Sequence, residues 1–361
     1  MSKKKTAFLS LFVISLILGT VFRISGDFAE LYTLQIAPIF RIPLSFVTSV
    51  FPFSVGESIV LLLIVMGGAT VFSLLYKGMT KLLRRDTECH WRTYLRIFCS
   101  IISFIYFTYV FAFSSSYSRV PVSDTMGLEK VEMTKETVSE ALDKVIDELN
   151  SVSEEIKHVP GRHTASGDSL DELAGKVLSC ADKAADRYPF YQKHPFRAKP
   201  IAFSHPMAYT GISGVYSFFT GESNVNTIYP EFTLPFTIAH EYSHQMGIGS
   251  EKEAEFSALL ICLESNEPYI RYSAYSQVAI TLLNLLFEMD EEIFYEHFSS
   301  LPSCLVNDVY LSSVSGQRYS ETYADEIAEA INDTYLSVSG DDGVVSYDLS
   351  SQLYVAYFLR S

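Results

Sequence analysis

The stretch His240-Glu241-Tyr242-Ser243-His244 decides how this chain is read. It lies between a run of aromatic and β-branched residues and the glycines Gly247 and Gly249. Two imidazoles four residues apart on a helix sit one above the other and can reach one metal ion. The flanking residues favour that helix. Pro235 suits a first helical turn, where its missing N–H would go unpaired anyway, and glycine ends the element. Neutral imidazoles suit zinc, and a catalytic zinc takes three protein ligands and leaves a position for water. His240 and His244 supply two ligands, and Glu241 is placed to act as general base on that water.

Two patterns supply a third ligand. In H-E-x-x-H-x-x-G-x-x-H, a glycine turns the chain back toward a third histidine. Gly247 fits the glycine, but Ser250 stands at the ligand position, and serine is a poor zinc ligand. In the other pattern the ligand is a glutamate on the next helix. Glu251, Glu253 and Glu255 are all available, and Glu251 and Glu255 share a face one turn apart. Glu251 is the expected ligand. Glu255 is expected to accept the ring N–H of a ligand histidine, and Glu253 reads as a cap or surface charge. Glu253 and Glu255 remain open as ligands at this point.

The rest of the 361-residue chain says where such a site works. Its hydrophobic share is 48%, concentrated in three runs, Thr6–Ile24, Phe53–Tyr76 and Tyr94–Phe113. Each is long enough to cross a bilayer, which takes about 20 residues. Lys3, Lys4 and Lys5 precede the first run and no small-residue cleavage pattern follows it, so it reads as an uncleaved anchor. The segment between Ile24 and Pro52 is apolar but broken by Pro38, Pro43 and Pro52, and reads as an interfacial or re-entrant loop. The positive-inside rule places the N-terminus and the loop bearing Lys77, Lys81, Arg84, Arg85 and Arg92 in the cytoplasm. Three crossings of a plasma membrane then put residues 114–361 on the outer side.

Charge follows the same division. Residues 1–113 carry 11 Lys/Arg against 5 Asp/Glu, whereas residues 114–361 carry 16 against 37, within a net charge of −15. So acidic an outer domain excludes nucleic acid as a partner. Of the cysteines, Cys180, Cys262 and Cys304 fall in this domain, enough for one disulfide but not for a disulfide framework.

Within the outer domain, 134–155 and 169–187 have helical spacing, the first with a stripe of Val138, Leu142, Val145, Ile146 and Leu149. Between 198 and 233, the stretches beginning at Pro200, Gly214 and Val225 read as short strands. Helices are expected from about Pro235, over 250–264 with a Ser250/Glu253 capping box, and over 273–289, 321–336 and 347–359. A segment just before the site, Gly214 to Phe218, is the expected strand for pairing with substrate. Tyr272, Tyr209 and His205 are the available oxyanion donors.

Gly214-Val-Tyr-Ser-Phe-Phe-Thr-Gly-Glu-Ser-Asn-Val-Asn, Pro235, His240-Glu-Tyr-Ser-His-Gln-Met-Gly, Ser250-Glu-Lys-Glu-Ala-Glu-Phe and Arg271-Tyr-Ser-Ala-Tyr together resemble the DUF3810 family of bacterial membrane proteins. The resemblance spans nearly the whole chain. It implies a three-span helical membrane region (1–113) followed by a mainly α, α+β zincin-like domain (114–361). The family pattern has Asn where this chain has Glu255, which moves weight toward Glu251 and Glu253. The expected function is a gluzincin-like zinc metallopeptidase, anchored in the lipid bilayer and cleaving peptides or proteins. The alternatives are a non-catalytic, zinc-stabilised binding or signalling module and a hydrolase of cell-wall peptides.

Overall fold

The computed structural model describes residues 3–82, 90–316 and 346–360. The expected helix over 321–336, the loop charges Arg84 and Arg85, and Cys89 fall outside these residues. The chain is mostly helical, with one small sheet. The N-terminal region comprises α1 (Lys3–Ile24), α2 (Gly26–Leu31), a π-helical turn (Tyr32–Ile36), α3 (Ala37–Ser49), α4 (Val55–Leu82) and α5 (Trp91–Thr108). A second π turn and a 3-10 turn carry α5 on to Tyr117. Three helical stretches are long and apolar enough to cross a membrane: Gly26–Ser49, Val55–Lys81 and Trp91–Tyr117. The last two contain all of the expected run 94–113 and all of 53–76 except Phe53 and Ser54. The first expected run is helical as α1, which lies beside α5: Phe12 packs on Tyr106, and Ser15 Oγ lies 3.1 Å from Tyr106 Oη.

The segment between Ile24 and Pro52 is a helix, not the expected loop. Its prolines do not break it. Pro38 falls in the first turn of α3, where no N–H is required, and Pro43 is carried inside the helix. Prolines mark a helix boundary only when the freed carbonyl cannot be satisfied otherwise. Here one side of the helix is fastened to the remainder of the protein.

The remaining elements are α6 (Val122–Met126), α7 (Lys135–Glu154), α8 (Leu170–Arg187), β1 (Lys199–Pro200), α9 (Ser204–Ala208), β2 (Gly214–Ser217), β3 (Glu222–Val225), α10 (Leu234–Gln245), α11 (Glu251–Leu263), α12 (Pro268–Met289), α13 (Glu291–Ser299), α14 (Ser303–Gly316) and α15 (Ser346–Arg360). Residues 134–154 form a helix because Thr134 and Thr137 close a reciprocal cap and the predicted apolar stripe is fully buried. Ser169 and Glu172 do the same for α8. The box expected at Ser250 does not form. Glu253 turns inward instead and accepts the Val122 N–H at 2.6 Å. The core gathers α7, α8, α10, α11, α12 and α15 around Tyr242, Phe256, Tyr272 and Leu282. Cys180, Cys262 and Cys304 are free, so the disulfide allowed by the sequence is not made among the described residues.

The sheet has the order β1-β3-β2, with β1 parallel and β2 antiparallel to β3. It is shorter than the aromatic-rich sequence suggested. The third strand is Glu222–Val225 rather than a stretch starting at Val225, because Val215 pairs with Asn224 across a tight turn at 218–221.

Buried polar contacts join the two regions. Arg41, 1% exposed, donates to Gln192 Oε1 (2.8 Å), the Lys193 carbonyl (3.0 Å) and the His194 carbonyl (3.3 Å). Lys199 donates to Glu222 (2.6 Å) and to the Thr48 and Phe53 carbonyls, while Glu222 accepts the Gly56 and Val55 N–H groups at the start of α4. A carboxylate at a helix N-terminus is favoured by the helix dipole. Removing a buried donor strands its acceptors, at about 1–3 kcal/mol for each unsatisfied group. Arg41→Met is therefore expected to lower the thermal midpoint of the detergent-solubilised protein by several degrees. Lys135→Ala, which removes an exposed pair with Asp290, should leave it unchanged; equal shifts would refute the assignment.

Candidate metal centre

Helix α10 carries His240, Glu241 and His244 toward α11, whose first two turns supply Glu251 and Glu255. Successive helical turns bring the side chains together. His240 Nε2 lies 3.1 Å from His244 Nε2 and 3.2 Å from Glu251 Oε2, and His244 Nε2 lies 3.5 Å from the same oxygen. The three form the one cluster of metal-ligating type found among the described residues. A tetrahedral zinc with bonds of about 2.0–2.1 Å separates its ligand atoms by about 3.3 Å. The triangle fits that spacing.

The ring orientations fit as well. His244 Nδ1 is 2.8 Å from the Ile248 carbonyl, which makes Nδ1 the donor and leaves the Nε2 lone pair facing the cluster. His240 Nδ1 faces Glu255 Oε1 at 3.5 Å and has no hydrogen bond at that distance. The buried Tyr354 of α15 also lies near Glu255 and acts on its charge. The face shared by Glu251 and Glu255 is thus the one the helical spacing suggested. Glu253 points away, to Val122, and Ser250 precedes α11 at its N-cap.

Glu241 is 3% exposed, and its Oε2 is buried with no partner. Its carboxylate presses against the β2 backbone: a Cβ at Gly214 would collide with it, 2.8 Å from Cγ and Cδ even after its oxygen is set aside. Glycine at 214 is therefore a matter of space. A buried carboxylate with an open oxygen, beside two imidazoles and under a strand, is placed to take a proton from a water.

The cluster is short of positive charge. Burial opposes the charged form of His240, yet Glu251, Glu255 and Glu241 outweigh it and raise its pKa to about 10. Burial opposes the charge on His244 too, and Glu251 raises it. Burial raises Glu241 to about 7 against the pull of both histidines. Glu251 is held below the usual carboxylate range, because His244 and His240 outweigh its burial. Burial also raises Glu255. Three carboxylates around two imidazoles draw in cations, protons or a metal alike.

Several residues at the site were not foreseen. Phe113, at the end of the α5 extension, sets its ring edge-on to His244 at 6.4 Å. Arg119 donates to the Gly247 carbonyl (2.8 Å) and the Phe190 carbonyl (2.6 Å) and pairs with both oxygens of Glu30. Gly247 has a φ of 92° and packs against Gln192 and Thr33, so the turn that ends α10 requires glycine there. Nothing local in the sequence signals these contacts. Of the oxyanion candidates, Tyr272 is excluded: it is buried, and its hydroxyl donates to Asp308 at 2.7 Å. His205 lies on α9 and Tyr209 at its C-cap.

Titration of the purified protein with Zn2+ is expected to give one ion per chain. His240→Ala, His244→Ala and Glu251→Ala should each abolish stoichiometric binding. Glu255→Gln should weaken it roughly 10–100-fold, as losses of a ligand's hydrogen-bond partner do. Glu253→Gln should retain the ion and lose thermal stability. Full binding by Glu251→Ala, with loss in Glu253→Gln, would reverse the assignment.

No curated protein and no solved structure matches this chain. The family described as "Protein of unknown function (DUF3810)" matches residues 32–355. That span takes in the helices α3 to α5, the sheet and every residue of the cluster, and the chain belongs to the DUF3810 family.

Proposed function

We propose that this protein is a membrane-anchored zinc metallopeptidase that hydrolyses peptide bonds on the outer side of the membrane. The observation that carries the reading is the His240–His244–Glu251 triangle, with the buried, unpartnered Glu241 Oε2 beside it. A zincin-like domain with a gluzincin-type ligand set describes this arrangement. His240, His244 and Glu251 would hold the zinc, which when bound polarises the scissile carbonyl and makes a water acidic enough to attack near neutral pH.

The residues of the chain do the rest. Glu241 accepts the proton of the attacking water and returns it to the leaving nitrogen. Burial lifts its pKa to about 7, so near neutral pH the ionised form is present to take the proton and the acid formed is able to give it back. β2 is an edge strand whose outer side has no partner among the described strands, so an extended peptide can add to it by backbone hydrogen bonds. Gly214 lets that strand come close to Glu241. A purely structural zinc site has no use for a buried carboxylate with an open oxygen, which separates this reading from a zinc-stabilised binding module.

The proposed side of the membrane rests on the basic residues around the α4–α5 connection: Lys77 and Lys81 at the end of α4, Arg84 and Arg85 after it, and Arg92 at the start of α5. With that connection in the cytoplasm, the Val55 end of α4 and the Phe113 end of α5 face outward.

Glu241→Gln keeps the shape and removes the base. Cleavage of a randomised peptide library should fall at least 100-fold, the lower range of general-base contributions, with zinc content unchanged. Wild-type cleavage by this variant would overturn the peptidase reading.

A further inference from the structure

The segment Gly26–Ser49 meets the length and apolarity of a span, yet it differs from the other two candidates. A third of its apolar window is buried in the protein, against 6% for Val55–Lys81 and 17% for Trp91–Tyr117. Both of its ends are bonded to residues of the region after 113. Near one end Glu30 grips Arg119 at 2.7 Å. Near the other, Ser45 Oγ donates to the Gly221 carbonyl at 2.8 Å and Thr48 Oγ1 to the Thr220 carbonyl at 3.0 Å. Arg41 reaches Gln192 between them. Eighteen residues of helix cover about 27 Å, nearly a bilayer core. A helix crossing the membrane cannot present both ends to a domain lying on one side of it.

Its faces are divided accordingly. Arg41, Ser45 and Thr48, spaced at i, i+4 and i+7, are buried and bonded to the later region, and Ala37, one turn earlier on the same stripe, is buried with Phe22, Ala29 and Tyr32. Leu31, Ile39, Phe46 and Val50 are 56–73% exposed. An apolar face left open, on a helix continuous with membrane segments, is what an interfacial helix presents to lipid.

The candidate site stands directly on this platform. The β2–β3 turn touches Ser45 and Thr48 through Gly221 and Thr220, and β3 begins where Glu222 caps α4. Phe113 and Tyr109, in the last turns of the third candidate span, pack on Phe218 at 6.0 and 5.3 Å, and Phe113 also on Tyr216 at 5.2 Å. Gly214, beside Glu241, lies four residues up the strand from Phe218, or about 13 Å at the usual rise.

We propose that α2–α3 lies flat in the outer membrane surface as the floor of the metal centre, and that the site therefore takes polypeptide segments tethered to the bilayer, cutting them within about ten residues of the anchor. The substrate part rests on the peptidase reading above; the floor does not.

Two measurements on the full-length protein in liposomes test this. Spin labels at Leu31→Cys, Ile39→Cys, Phe46→Cys and Val50→Cys, read by oxygen and nickel-complex collision, should report one shallow depth within about 5 Å. A steady progression of some 28 Å from first to last, the length of that helix, would overturn the floor and with it the substrate class. In the second, zinc-loaded protein receives randomised peptides in three forms. One is joined to a dipalmitoyl anchor at either end by two residues, one is joined through a 40-residue Gly/Ser spacer, and one is free. The short-tethered form should be cut at least tenfold faster than the spacer form at equal surface density, with cuts clustered near the anchor. Equal or faster cutting of the spacer or free form would remove the substrate class and leave the peptidase reading standing. No cutting of any form would remove the peptidase reading and the substrate class together, with the depth profile still deciding the floor.

Discussion

Arg119 donates to the carbonyls of Gly247 and Phe190 through Nη1 and Nη2, and to both oxygens of Glu30 through Nε and Nη2. This contact fixes the turn that ends α10. The next residue, Ile248, offers the carbonyl that orients His244. Gln192 repeats the pattern, bonding the Met246 carbonyl through its backbone, Thr33 through its side-chain amide, and Arg41 through its oxygen. Gln245 adds a bond to the Gly221 carbonyl, which Ser45 also holds. The last turn of α10 is thus built jointly by the N-terminal helices and the region that follows them. Its groups are buried and charged or strongly polar, so each partner lost leaves an expensive orphan.

That joint construction explains the accuracy of the cluster. Two histidines on one helix need only helical geometry to lie together. A carboxylate from a second helix must be brought to within a few tenths of an ångström of the right place. The turn Gly247–Ser250 between α10 and α11 does this, and it is pinned on one side by Arg119 and on the other by the buried Glu253–Val122 bond. Glu253 therefore matters to the site without touching it. Tyr354 and Glu255 close the far side and leave Glu255 facing the ring of His240.

Much of this was legible in the chain. His240, Glu241 and His244 announce themselves by spacing. Glu251 and Glu255 follow from one helical turn, and Ser250 rules out the rival ligand pattern by its chemistry. Gly214 was singled out as substrate strand from its place before the site, and it is the residue that lies against Glu241. What the sequence hid has a common physical cause. Phe113 acts on His244, Arg119 on Gly247 and Arg41 on Gln192 across more than a hundred residues of chain, where periodicity carries no information. The helix over Gly26–Ser49 was missed because its prolines were weighed without the tertiary contacts that tolerate them. The capping box expected at Ser250 fails for the same kind of reason, since a buried N–H at Val122 takes Glu253 instead.

The central claim is that two imidazoles and one carboxylate of this chain make a zinc site with room for water. X-ray absorption at the zinc edge on purified, zinc-loaded, full-length protein tests it most directly. The account predicts a four-coordinate shell of nitrogen and oxygen at about 2.0–2.1 Å with the outer-shell pattern of two imidazoles; a shell showing fewer than two imidazoles, or containing sulfur, would contradict it.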